Sequence, residues 1–183
     1  MLVVRPYDRR HALEYARTWA FSRNPLFYNY TGIGGDCTNF VSQCVFAGSC
    51  EMNFTPVFGW YYLDSNSRTA SWTGVEFFYN FITGNTGVGP YGAEIEESGV
   101  AVGDVVQLQN AGGEYYHTLF VSGFSEQGEI LVAAHSDDAL DRPLSTYNFA
   151  SARYIGIRGV RFEIEFSADT CFSDLLGGIA IVP

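Results

Sequence analysis

The run Gly34-Gly35-Asp36-Cys37-Thr38-Asn39-Phe40-Val41-Ser42-Gln43 places a cysteine where a helix is expected to begin, with Asp36 at the N-cap position. A thiol in a first turn sits at the positive end of the helix dipole, beside backbone N–H groups that have no intrahelical acceptor. Both effects favour the thiolate, which is the attacking species in acyl transfer. The same N–H groups can donate to the oxyanion that such an attack creates. Gly34 and Gly35 let a substrate carbonyl come close to the backbone. Free cysteines are more often buried helix residues than nucleophiles. It is the Gly-Gly-Asp-Cys context that singles out Cys37.

A nucleophilic cysteine needs a base and a group to orient it. Of three histidines, His11 falls on the solvated face of a first helix and receives no role. His117 opens an apolar strand after Tyr115-Tyr116, and His135 closes the next strand. The two strands form an expected hairpin around Ser125-Glu126-Gln127-Gly128. Side chains alternate faces along a strand, so parity decides the site. An odd-numbered loop sets His117 directly across from His135 on one face; an even-numbered loop sets it across from Ser136. The odd loop is favoured, because it gathers two histidines where the Cys37 helix can pack. Asp104 reads as a turn residue that starts a strand. Asp137, Asp138 and Asp141 read as solvated turn carboxylates rather than metal ligands.

These residues need elements to hold them. Asp8 followed by RRHALEYARTWAFSRN reads as a helix with an Ala12, Tyr15, Ala16, Trp19 and Ala20 stripe, ended by Asn24-Pro25. DCTNFVSQCVFAG is a second, largely buried helix with Gly48 as its C-cap. SWTGVEFFYNFITGN gives a third. Runs 104–109, 117–124, 129–135, 153–158 and 160–166 are strand-like. Helices first and strands second make an α+β fold, with the N-terminal helices packed on an antiparallel β-sheet. A boundary near Ser167 separates one domain, residues 1–166, from a tail, 167–183, docked on it.

Composition narrows the function classes. The 183 residues carry 20 acidic against 10 basic side chains, a net charge of −10 with no basic run, which argues against nucleic acid and anionic membranes. No apolar stretch approaches the ~20 residues needed to span a bilayer. The start, Met1-Leu2-Val3-Val4-Arg5-Pro6, lacks the pattern of a signal peptide, so the expected setting is cytoplasmic or the mature domain of a secreted protein. Cys37, Cys44, Cys50 and Cys171 have no C-x-x-C spacing, and isolated thiols are the expected state. Gly32-Ile33-Gly34-Gly35 lacks the preceding strand and the lysine of a phosphate loop. No metal or cofactor is expected. Tyrosine clusters such as Tyr61-Tyr62, Tyr115-Tyr116 and Tyr28/Tyr30 suggest walls that are apolar on one side and wet on the other.

The stretches YDRRHALEYARTWAFSRNP, GGDCTNFVSQCVFAG, WYY, SWTGVEFF, GDVVQLQ, HTLFVSG, AAHSDD and RPLS resemble the amidase domains of Gram-positive bacteria, relatives of the NlpC-type and CHAP cell-wall peptidases in the papain-like clan. The likeness covers most of residues 7–158, and the Asp-Cys-Thr-Asn-Phe-Val-Ser-Gln helix is its most specific piece. It implies amide hydrolysis through a thioester, with peptide or peptidoglycan stem peptides as substrate. It implies Cys37 as nucleophile, His117 as general base and His135 in the third, orienting place. Gly35, Asp36, Trp60 and Tyr116 fall on the substrate side, and Gln43 is a supporting group within the helix. A silent module on the same scaffold would instead hold a peptide or glycan in an aromatic cleft of Trp60, Tyr61, Tyr62, Trp72, Tyr115 and Tyr116, and an acyltransferase of the transglutaminase type would use the same thioester with another acceptor.

Overall fold

In the computed structural model, residues 1–163 and 170–183 are described. The chain runs through β1 (Leu2–Arg5), α1 (Arg9–Trp19), α2 (Cys37–Ser49), β2 (Tyr62–Asp64), β3 (Ser67–Arg68), α3 (Ala70–Thr73), α4 (Val75–Gly84), β4 (Gly89–Ile95), β5 (Val105–Gln109), β6 (Tyr115–Phe124), β7 (Ile130–Ala134), β8 (Ala139–Pro143), β9 (Ser151–Glu163) and α5 (Cys171–Leu176). The architecture is α+β with an antiparallel sheet, as the sequence predicts.

α1 starts where Asp8 accepts from the His11 backbone N–H at 2.9 Å, and it buries Ala12, Tyr15 and Ala16. It stops at Trp19, short of Asn24-Pro25. Every residue of α2 is buried, so it is the central helix and is enclosed on all sides. Its polar side chains are satisfied internally: Ser42 donates to Trp72 O, and Tyr15 donates to Gln43 Oε1 at 2.7 Å. Gly48 is not its C-cap. α2 continues to Ser49 and ends on Cys50, which takes the left-handed conformation (φ 44°). Gly48 is required for a different reason. A Cβ there would stand 2.4 Å from the Tyr7 ring and 2.7 Å from Asp8 O, so only glycine lets the start of α1 close on α2. The third expected helix is broken into α3 and α4 at Gly74, whose backbone is extended.

The main sheet has the order β1-β9-β5-β6-β7-β8, with β4 on the other side of β9. β9 fuses two expected strands through Gly159, and residues 164–166 of the second lie outside the described residues, as does the boundary near Ser167. Alternation divides the sheet. Val105, Phe120, Ala133 and Ile155 join the core beneath the helices, whereas Val106, Leu108, Leu119, Val121 and Val132 form a second core on the opposite face.

The cysteines are not all isolated. Cys50 and Cys171 form a disulfide across 121 residues of chain, and Cys37 and Cys44 are free. The pairing follows from α5 docking at the C-terminal end of α2. Trp19 Nε1 donates to Leu176 O at 3.1 Å, Asn24 Nδ2 donates to Leu175 O at 2.8 Å, and Phe172 stacks on His11. Among the described residues no helix is long and apolar enough to cross a membrane.

Candidate active site

The start of α2 lies on β6 where the apolar core beneath the helices gives way to a polar row. Arg153, Gln107 and Thr118 are cross-strand partners on β9, β5 and β6. Arg153 donates twice to Gln107 Oε1 (2.8 and 2.6 Å), and Gln107 Nε2 donates to Thr118 Oγ1 at 3.2 Å. Thr118 Oγ1 meets Thr38 Oγ1 at 2.9 Å. The Arg153 guanidinium is held between the Tyr79 and Tyr115 rings, 3.6 and 3.7 Å from their centroids. Sequence reasoning missed this row. Its signal was a polar residue interrupting the inward-facing apolar positions of three strands.

Cys37 is the first residue of α2, 8% exposed and unpaired, with its sulfur 3.8 Å from Thr38 Oγ1. Asp36 precedes it but does not cap the helix with its side chain. Its buried carboxylate accepts instead from Tyr30 N (3.0 Å), Asn39 Nδ2 (2.8 Å) and His135 Nδ1 (2.8 Å). The first-turn N–H groups of α2 are therefore left without a side-chain cap beside Cys37. Asp36 N donates to Ser136 Oγ at 3.0 Å, which ties the start of α2 to the turn after β7.

His117 is the residue before Thr118 and alternates to the other face, where it pairs with Leu108. Its ring stands 5.8 Å from that of Tyr147 and 6.1 Å from that of Tyr116. Burial pushes its pKa down to about 4, against the nearby Asp137 carboxylate, which raises it, and with Arg142, which lowers it further. No hydrogen bond joins His117 to Cys37 among the described residues.

His135 is not where the sequence reading put it. The hairpin loop is odd, residues 125–129, as expected. However, β6 bulges between Val121 and Gly123, and a bulge reverses parity. Continuing the Phe120–Ala133 pairing sets Ser136 across from His117, and His135 across from Thr118. His135 is 1% exposed, stacks on Phe40, and has both ring nitrogens occupied, Nδ1 by Asp36 and Nε2 by Trp19 O at 2.8 Å. It braces the start of α2 rather than orienting His117.

Residues 6–157 match the family described as "Putative amidase domain". The chain belongs to this family. Amidase-family membership points to a hydrolase of amide bonds. The chain is also 30% identical over 162 residues to the "Uncharacterized protein YhbB" of Bacillus subtilis (strain 168), covering 86% of this chain and 50% of that protein. It thus spans about half the length of the curated relative it matches. No solved structure matches.

The matched amidase region contains every expected site residue, and the structure distributes them unevenly. Gly35 has φ 98°, and a side chain there would meet open space, so it lies clear beside the start of α2. Tyr116 is 41% exposed and donates to Asn148 O at 2.9 Å. Trp60 is fully buried, tilted against Trp72 with ring centroids 4.6 Å apart and donating to Ser42 Oγ at 3.2 Å. It is a core residue beneath α2 and not a substrate wall, because its indole N–H finds its partner inside. Asp36 is likewise fully buried and engaged within the protein. Of the turn carboxylates, Asp138 pairs with Arg23, Asp137 with Arg142, and Asp141 accepts from Ser122.

Proposed function

We propose that this protein is a cysteine amidase or peptidase of papain-like arrangement that cleaves amide bonds of peptides such as peptidoglycan stems. In this reading the Cys37 sulfur attacks the carbonyl carbon while its proton passes to His117. The oxyanion is held by uncapped first-turn N–H groups of α2. The C–N bond breaks as His117 returns the proton to the leaving amine, and water then hydrolyses the thioester. The supporting observation is the free thiol of Cys37 at the uncapped start of α2; the 2.9 Å contact between Thr38 and Thr118 sets that helix start against β6, one residue from His117. His117 itself turns to the face opposite Thr118, so this reading requires the imidazole to swing round the strand end toward Cys37 when substrate binds.

Iodoacetamide at neutral pH tests the nucleophile. One thiol, Cys37, is expected to react in the native protein. Cys44 is expected to react only after unfolding, because burial pushes its thiol well above the usual range. Incubation with stem-peptide fragments should give a thioester adduct by intact mass in the wild type and none in Cys37→Ala. Equal labelling of both thiols, or turnover by Cys37→Ala, overturns the reading.

A further inference from the structure

Among the described residues a single buried side-chain polar atom lacks a hydrogen-bond partner, the hydroxyl of Tyr147. Native proteins rarely leave such a group unpaired, since desolvating it without compensation is unfavourable. The Tyr147 ring is also the neighbour of His117, 5.8 Å away and tilted by 51°. Two clamps hold it there. On one side Arg142 lies over the ring at 4.0 Å and binds Thr146 through Nε at 2.8 Å. On the other, Tyr116 of β6 donates to the carbonyl of Asn148. The phenol is thus fixed from both flanking residues; the Arg142 cation bears on its oxygen, but no hydrogen bond of good geometry is made to it.

We infer that the Tyr147 hydroxyl, and not His135, is the positioning group that holds the His117 imidazole during proton transfer; this rests on the Cys37–His117 reading above. When His117 takes the thiol proton, both ring nitrogens become donors. One faces the sulfur and the substrate. The other needs an acceptor inside the protein, and a bond from a charged donor is stronger than a neutral one. The groups around the ring leave few choices. Asp137 is 88% exposed at its side chain and turned toward Arg142 (3.5 Å), Arg142 is a cation, Tyr116 is bound to Asn148, and both His135 nitrogens are occupied. The unengaged oxygen of Tyr147 remains.

The test is Tyr147→Phe in the full chain, which deletes the oxygen and keeps the ring. Its melting temperature should be unchanged or raised, because an unpaired buried hydroxyl is removed. The His117 pKa, followed by NMR of the imidazole ring proton, should fall, and Cys37 alkylation by iodoacetamide should slow by roughly tenfold. In the wild type, the chemical shift of the Tyr147 ring carbon bearing oxygen should titrate together with His117, a readout that needs no variant. An unchanged His117 titration and alkylation rate in Tyr147→Phe, or a Tyr147 signal that ignores His117, overturns the inference. If wild-type Cys37 proves unreactive, the proposed function fails, while the two NMR titrations still decide the Tyr147–His117 contact.

Discussion

The chemistry around Cys37 depends on where two side chains beside it are aimed. Asp36 occupies a capping position but gives its carboxylate to Tyr30, Asn39 and His135, so the helix amides next to the thiol stay free. His117 is held neutral by burial, with a pKa of about 4 against an ordinary value near 6.5. Between these two values the unfolded chain binds more protons than the folded one, so stability rises with pH there and is lost as pH falls. A shift of this size corresponds to at most about 3 kcal/mol, present in full above pH ~6.5 and gone below pH ~4. His117→Gln should remove that part of the acid sensitivity. Urea midpoints of the two proteins at pH 7.5 and 4.5 measure it. A parallel loss in both would show that His117 is not the titrating group.

At the scale of elements, one bulged residue in β6 decides what His135 is for. Without it, the Phe124–Ile130 register would set His117 across from Asp137 and leave His135 on the same face as His117. With it, His135 turns to the helix face and joins Phe40, Asp36 and the carbonyl of Trp19, linking α1, α2 and β7. His135→Ala should therefore destabilise the fold by about 3 kcal/mol, since it removes one hydrogen-bond partner of a buried carboxylate and empties a packed site. Urea unfolding gives the value, and an unchanged midpoint would reject the bracing role. The same scale explains what could be read in advance. The helical stripe of α1 and the start of α2 follow from local spacing and capping. The break at Gly74, the fusion of two strands into β9 and the pairing of β1 and of β4 with β9 depend on partners distant in sequence, which no local pattern encodes.

Across the whole molecule, the helices cover one face of the sheet and α5 closes the far end of α2 through Cys50–Cys171. That disulfide ties residues beyond the family match to the helix that carries Cys37. A link enclosing so long a loop restricts the unfolded chain strongly, and removing a native disulfide typically lowers stability by roughly 2–5 kcal/mol. Cys171→Ser, with Cys50 also replaced by Ser to avoid a stray thiol, should show a loss in that range by thermal melting. The wild type should count two reactive thiols after unfolding without reductant and four after reduction. Four thiols without reductant would refute the bond.

The sequence by itself determined the α+β class and the position of Cys37 at a helix start, because both depend on local spacing, turn residues and the helix dipole. It also carried the family, through the Asp-Cys-Thr-Asn-Phe helix above all. Only the tertiary structure decided which face each histidine takes, because a one-residue bulge inverts every side chain beyond it. The same holds for the burial of Trp60, the Arg153–Gln107–Thr118 row and the unpaired hydroxyl of Tyr147. Each of these is a relation between residues far apart in the chain, fixed by how strands pair and helices pack.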